Sequence, residues 1–183
     1  MIFQRFFNRE RESNREVTGA LYAAIVAAAR QPHCYSAWNV PDTPLGRFEM
    51  ISLHMILAMR RLIHGVQAER DIAQELTDTF FTEVDHSLRE LGIGDVSVPK
   101  RMKKLAKMFY GRAGSYGDAL DANDGPALAA ALARNVVPGQ PEWMFGGALA
   151  RYALEADATL RAQSEADVLA GRLRFPTAGS TGE

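Results

Sequence analysis

Glu83 and His86 stand three residues apart, the spacing with which helical carboxylate–imidazole pairs reach a shared metal in di-iron bundles. Such a site needs a second Glu-x-x-His and two more glutamates. No other histidine here follows an acidic residue at that spacing, so no metal is expected and both side chains read as solvated or paired with neighbours. Cys34 beside His33 has the residue types of a thiol nucleophile and its base. Adjacency in an irregular segment does not supply the approach geometry, and a structural thiol is the better reading. His54 and His64 share a helix but lie about a quarter turn from alignment, and His54 sits among Leu53, Met55 and Ile56 as a hydrogen-bonded core or groove residue would. Phosphate-binding glycine loops, paired-cysteine zinc patterns and serine-hydrolase elbows are absent from the sequence. Nothing anchors an enzymatic reading and no cofactor is called for.

The run Val98-Pro-Lys-Arg-Met-Lys-Lys-Leu-Ala-Lys-Met-Phe-Tyr-Gly-Arg112 carries a different chemistry. At about 100° per residue, Lys100, Lys103, Lys104 and Lys107 fall on one side of a helix, with Arg101 and Arg112 flanking them. Met102, Leu105, Ala106 and Phe109 fall on the other. This concentration of positive charge stands in a chain with 21 basic and 22 acidic residues, so it is a local device rather than a bulk property. It is suited to an acidic partner, a phosphate backbone such as structured RNA, or an anionic membrane surface. No base-reading motif accompanies it, so sequence-specific nucleic-acid binding is not expected. Phe3, Phe6 and Phe7, interleaved with Arg5, Arg9 and Arg11, suggest a flexible or membrane-touching start over residues 1–9.

The elements that must position these residues are helical. Of 183 residues 47% are apolar, enough for one core, and alternation with period two is absent. The expected fold is all-α: one bundle of about six helices over residues 10–172, an irregular loop after the first helix, and a disordered tail over 173–183. The first helix spans about Glu10 to Arg30, ending before Pro32. A second starts after Pro41-Asp-Thr-Pro44, capped by Asp42 or Thr43, and runs to about His64. It is apolar nearly all round and therefore central. A third covers Glu69 to Leu91, with Gly92 as a left-handed cap. The basic helix follows, with Gly111, Gly114 and Gly117 expected to weaken it. A short alanine-rich helix covers about Pro126 to Asn135, and a last helix runs from Pro141 to about Arg172. The single cysteine precludes an internal disulfide and fits a reducing compartment. The N-terminal segment reads as neither a secretory nor a transit peptide. The chain reads as a cytoplasmic bacterial protein, peripheral to the inner membrane.

Several segments together resemble a known family. Tyr35 to Phe48 reads Tyr-Ser-Ala-Trp-Asn-Val-Pro-Asp-Thr-Pro-Leu-Gly-Arg-Phe, and Leu53-His54 and Arg60-Arg61-Leu62 follow. Then come Asp85-His-Ser-Leu-Arg-Glu-Leu-Gly-Ile-Gly-Asp95, Lys100-Arg-Met-Lys-Lys104 and Phe109-Tyr-Gly-Arg112, with Tyr116 and Leu120 behind. This is similar to the ubiquinol–cytochrome c chaperone family, from about Tyr22 to Leu120. The final third carries no matching motif. The resemblance implies a binding protein that assists assembly of the cytochrome bc complex. Its mitochondrial relatives work with a partner chaperone near the ribosomal exit and hold new cytochrome b until haem is inserted. Carried over by position, Lys100, Arg101, Lys103 and Lys104 match the family's basic run, to which Lys107 and Arg112 belong by place. Asp42, Arg47, Phe48, His54 and Tyr110 fall in its other signature segments, in structural or binding roles. The implied partners are nascent or apo-cytochrome b and an anionic membrane surface or the ribosome. Methionines, among them Met50, Met55, Met59, Met102 and Met108, suit an adaptable client groove, although core filling is preferred for Met55 and Met59. The alternative is a peripheral membrane or RNA-contacting scaffold.

Overall fold

The computed structural model describes residues 2–180, with side chains from Asn14 onward. Among these residues the chain forms eight helices and no strand. They are α1 (Ile2–Ala29), α2 (Pro32–Ser36), α3 (Pro44–Ile63), α4 (Gln67–Glu90), α5 (Val98–Asp121), α6 (Gly125–Val136), α7 (Gly146–Ala162) and α8 (Glu165–Leu169). The helix α1 begins ahead of the expected Glu10. The side chains of Phe3, Phe6 and Phe7, and of the arginines between them, lie outside the described residues.

α3 is the axis of one core, as its encircling apolar residues require. Met50, Leu53, Met55, Leu57 and Leu62 are fully enclosed, and α1, α4, α5, α6 and α7 all pack against this helix. Its start is set by Thr43, whose side chain accepts a hydrogen bond from the Gly46 amide, while Pro44 supplies a helical φ without needing a donor. Asp42 does not share the cap. It pairs instead with Arg47 at 2.6 Å, both on the surface. At the far end of α4, Gly92 adopts φ 77 and the Ile93 amide reaches back to Leu88, the left-handed stop expected there.

Four expectations are corrected. The link after α1 contains a helical turn, α2, opened by Pro32. The basic helix is not weakened by its glycines. It continues unbroken to Asp121, with Gly117 buried against Arg60. The last helix is two: α7 opens only at Gly146, and extended backbone at Gln163 and Ser164 ends it before Ser164 caps α8. Finally, residues 173–180 are seated on the bundle. Leu173 and Ala178 are buried, and the Gln31 side chain donates to the Pro176 carbonyl at 3.1 Å and accepts from the Ala178 amide at 2.7 Å. Gly179, at φ 81, lies so close to the His33 ring that a Cβ would overlap it.

Candidate functional site

α5 places its charge as its sequence predicts. Lys100, Arg101, Lys103, Lys104 and Lys107 are exposed, Phe109 is buried, and Met102, Leu105 and Ala106 are half-buried. No carboxylate among the described residues pairs with any of the four lysines, and no acidic residue occurs in α5 before Asp118. The lysine heads therefore form a solvated ridge with their full charge available to a partner. Tyr110 lies beside the ridge, 59% exposed, its ring against Phe81 and Phe109.

Two ion pairs hold this helix in a fixed rotation, one of them buried and one at the surface. Arg112, expected on the basic flank, turns inward instead. Its Nε and Nη2 donate to the two carboxylate oxygens of Glu49, the latter at 2.6 Å, and its Nη1 donates to the Met108 carbonyl at 2.9 Å. Both residues are buried. The reason is Glu49 itself: an acidic residue buried on the largely apolar axis of the bundle needs a charged, bidentate partner, and Arg112 is in reach. Burial raises the Glu49 carboxyl above its ordinary range and the Arg112 hydrogen bonds oppose that rise. At the other end of α5, Asp121 accepts from Arg60 Nη2 at 2.6 Å while Arg60 Nε donates to Asp157 of α7 at 3.0 Å. The same geometry aims the opposite face of α5 at solvent.

Between α5 and α6 lies an open cleft of about 540 Å³, lined by Lys104, Lys107, Met108, Gly111, Arg112 and Arg134 with two neutral polar neighbours. No carboxylate lines it. Arg134 is exposed in the last turn of α6, and sequence inspection missed it because only the fold brings it to the lysines. The Arg112–Glu49 pair was also missed, although a lone glutamate inside an apolar helix signals that some cation must be buried beside it.

The other singled-out residues do not join the ridge. Phe48 is buried and stacked on Phe80, with centroids 6.1 Å apart. His54 is fully buried; its Nδ1–H donates to the Met50 carbonyl at 2.8 Å and its Nε2 accepts from the Tyr152 hydroxyl at 2.8 Å. Tyr152 in turn accepts from Gln31 at 3.1 Å. With both ring nitrogens engaged and burial driving its pKa down to about 4, His54 is a neutral structural group. Cys34 is buried and its thiol is pushed up to about 12, which keeps it protonated. Glu83 and His86 are both exposed, and no cluster of three or more metal-ligating side chains occurs among the described residues. Met50 and Met55 fill the core rather than a groove, whereas Met102 and Met108 remain half-exposed on α5. No described helix is long and apolar enough to cross a membrane.

The sequence pattern of the family described as ubiquinol-cytochrome C chaperone matches residues 36–175, more than half of the chain. The chain belongs to the ubiquinol–cytochrome c chaperone family. The family match extends well beyond Leu120, so α6 and α7, in which no motif was legible, are part of the family's fold. The chain is similar to the Cbp3 homologue from Brucella abortus, known from a crystal structure: 50% identity over 98% of this chain and 99% of that one, with a TM-score of 0.90. No curated protein matches the sequence.

Proposed function

We propose that this member of the ubiquinol–cytochrome c chaperone family is a non-catalytic assembly factor for ubiquinol–cytochrome c reductase that holds newly made cytochrome b. It works at the cytoplasmic face of the inner membrane, docked through Lys100, Arg101, Lys103, Lys104 and Lys107. One observation carries the docking part: four lysines on a helix rotationally fixed by the buried Arg112–Glu49 pair and the Arg60–Asp121 pair, with no carboxylate among the described residues paired to them. A ridge that served only solubility would not need such a fixed aim. Family membership supports the client, and the half-exposed Met102 and Met108 with the exposed Tyr110 offer adaptable apolar contacts beside the charge. Arg112 belongs to the frame rather than to the docking face.

The test is a deletion strain complemented with the wild-type chain or with the Lys100→Glu, Lys103→Glu, Lys104→Glu, Lys107→Glu variant. Haem-loaded cytochrome b should fall in the deletion, return with wild type and stay low with the variant, and apo-cytochrome b should co-purify with the wild-type protein. Normal haem-loaded complex in the deletion strain would overturn the proposal. Ribosome and liposome co-sedimentation lost in Lys103→Glu/Lys104→Glu, with respiration intact, would favour a scaffold unrelated to respiration.

A further inference from the structure

Two contacts mark where the body of the bundle ends. Phe80 of α4 stacks on Phe48, and Arg112 of α5 reaches Glu49, both within the first two turns of α3. Beyond that level α4 and α5 continue as a two-helix hairpin. From Phe81 to Met108 only Val98 is buried; Val84, Leu88, Met102 and Leu105 are half-buried, and Val84 and Leu105 pack against the edge of the core. Its turn presents Leu91, 58% exposed, and Val96, 96% exposed. The one acid in the turn, Asp95, is held by Arg89, which also binds Asp85 at 2.6 Å. Glu83 and Glu90 are exposed on α4. The lysine ridge begins directly behind the turn.

We propose that this hairpin is a lipid-contact element: Leu91 and Val96 enter the headgroup–acyl boundary of a bilayer, and Lys100, Lys103, Lys104 and Lys107 bind the phosphates of anionic glycerophospholipids. Two independent features converge on this partner. Bare ammonium groups fit any polyanion, but a turn whose one acid is ion-paired and whose aliphatic side chains are naked fits a partner that offers an apolar interior behind its anionic surface. Nucleic acid would satisfy the ridge and leave Val96 in water. Arg134, across the cleft from Lys104 and Lys107, widens the same positive surface. The inference rests on the ridge being a docking surface and names what it docks to.

The experiment uses the full chain with vesicles of phosphatidylglycerol in phosphatidylcholine and with pure phosphatidylcholine. Binding is expected to the former, to weaken with salt, and to fall at least ~100-fold when the four lysines are reversed, since each near an anionic surface is worth roughly fivefold. Val96→Asp with Leu91→Asp, both at exposed positions, should weaken binding about tenfold while leaving the helical spectrum unchanged. An environment-sensitive dye on Val96→Cys, with Cys34 buried, should shift to the blue on anionic vesicles and stay unshifted on ribosomes. Absence of vesicle binding, binding indifferent to the Leu91 and Val96 changes, or a dye that shifts only with protein or RNA would overturn the proposal. If wild type ignores vesicles yet lysine reversal still blocks cytochrome b maturation in cells, the lipid inference fails and the docking reading survives. If reversal abolishes vesicle binding while maturation is normal, the role of the ridge in cytochrome b assembly fails and lipid contact stands.

Discussion

The α3-centred body and the α4–α5 hairpin treat charge in opposite ways. In the body every arginine near the axis is matched: Arg112 to Glu49, Arg60 to Asp157 and Asp121, Arg61 to Glu69 at 2.9 Å. On the hairpin the lysines pair with no carboxylate among the described residues, and the aliphatic groups at the turn are exposed. The body uses the planar guanidinium, which binds carboxylates bidentately and tolerates burial. The ridge uses the ammonium, a hydrated point charge. Buried arginine fixes geometry in the body, and exposed lysine, with Arg101, keeps charge available on the ridge.

The contrast is broken most severely by unpairing the body. Arg112→Met leaves Glu49 buried alone and should cost about 3–5 kcal/mol of unfolding free energy in urea, whereas Glu49→Leu combined with Arg112→Met should recover most of it. A smaller loss if Glu49 simply protonates would show that the pair is held less tightly than its geometry implies. Next comes acid. His54 is depressed from 6.5 to about 4, so its neutral form is the native one. Stability from this group is complete above the unfolded value and is lost as pH falls from about 6.5 towards 4, by roughly 3 kcal/mol in all. His54→Gln should flatten that part of the stability–pH curve. Tyr152→Phe removes the donor to His54 Nε2 and should cost about 1–2 kcal/mol. At the small end, Lys103→Glu with Lys104→Glu should leave Tm unchanged and alter only binding, and Asp42→Ala, which removes an exposed pair, should likewise leave Tm in place.

Much of this architecture was legible because period and punctuation agree. The apolar wrap of α3 announced its central place, Thr43-Pro44 announced its start, and Gly92 announced the end of α4. The rotation of α5 followed from its lysine spacing alone. What stayed hidden depends on distant partners. Arg112 read as part of a basic flank because nothing local shows that Glu49, 63 residues earlier, needs it. Arg134 joins the cleft only through the packing of α6 on α5. The segment 173–180 looked like a tail because Pro-Thr-Ala-Gly carries no periodicity, yet its backbone finds donors and acceptors on Gln31. The split of the last helix was equally hidden, since it turns on the extended backbone at Gln163.

The seating of that segment has a consequence for biogenesis. Gln31 grips Ala178 across 147 residues of sequence, and the same glutamine feeds the Tyr152–His54 chain. During synthesis α1 and α3 emerge with this polar cluster open, and it can close only when residues 176–178 have left the ribosome. The locking of this cluster therefore comes only after all eight helices have been made, and a fusion attached directly after Ser180 would press on the latch itself.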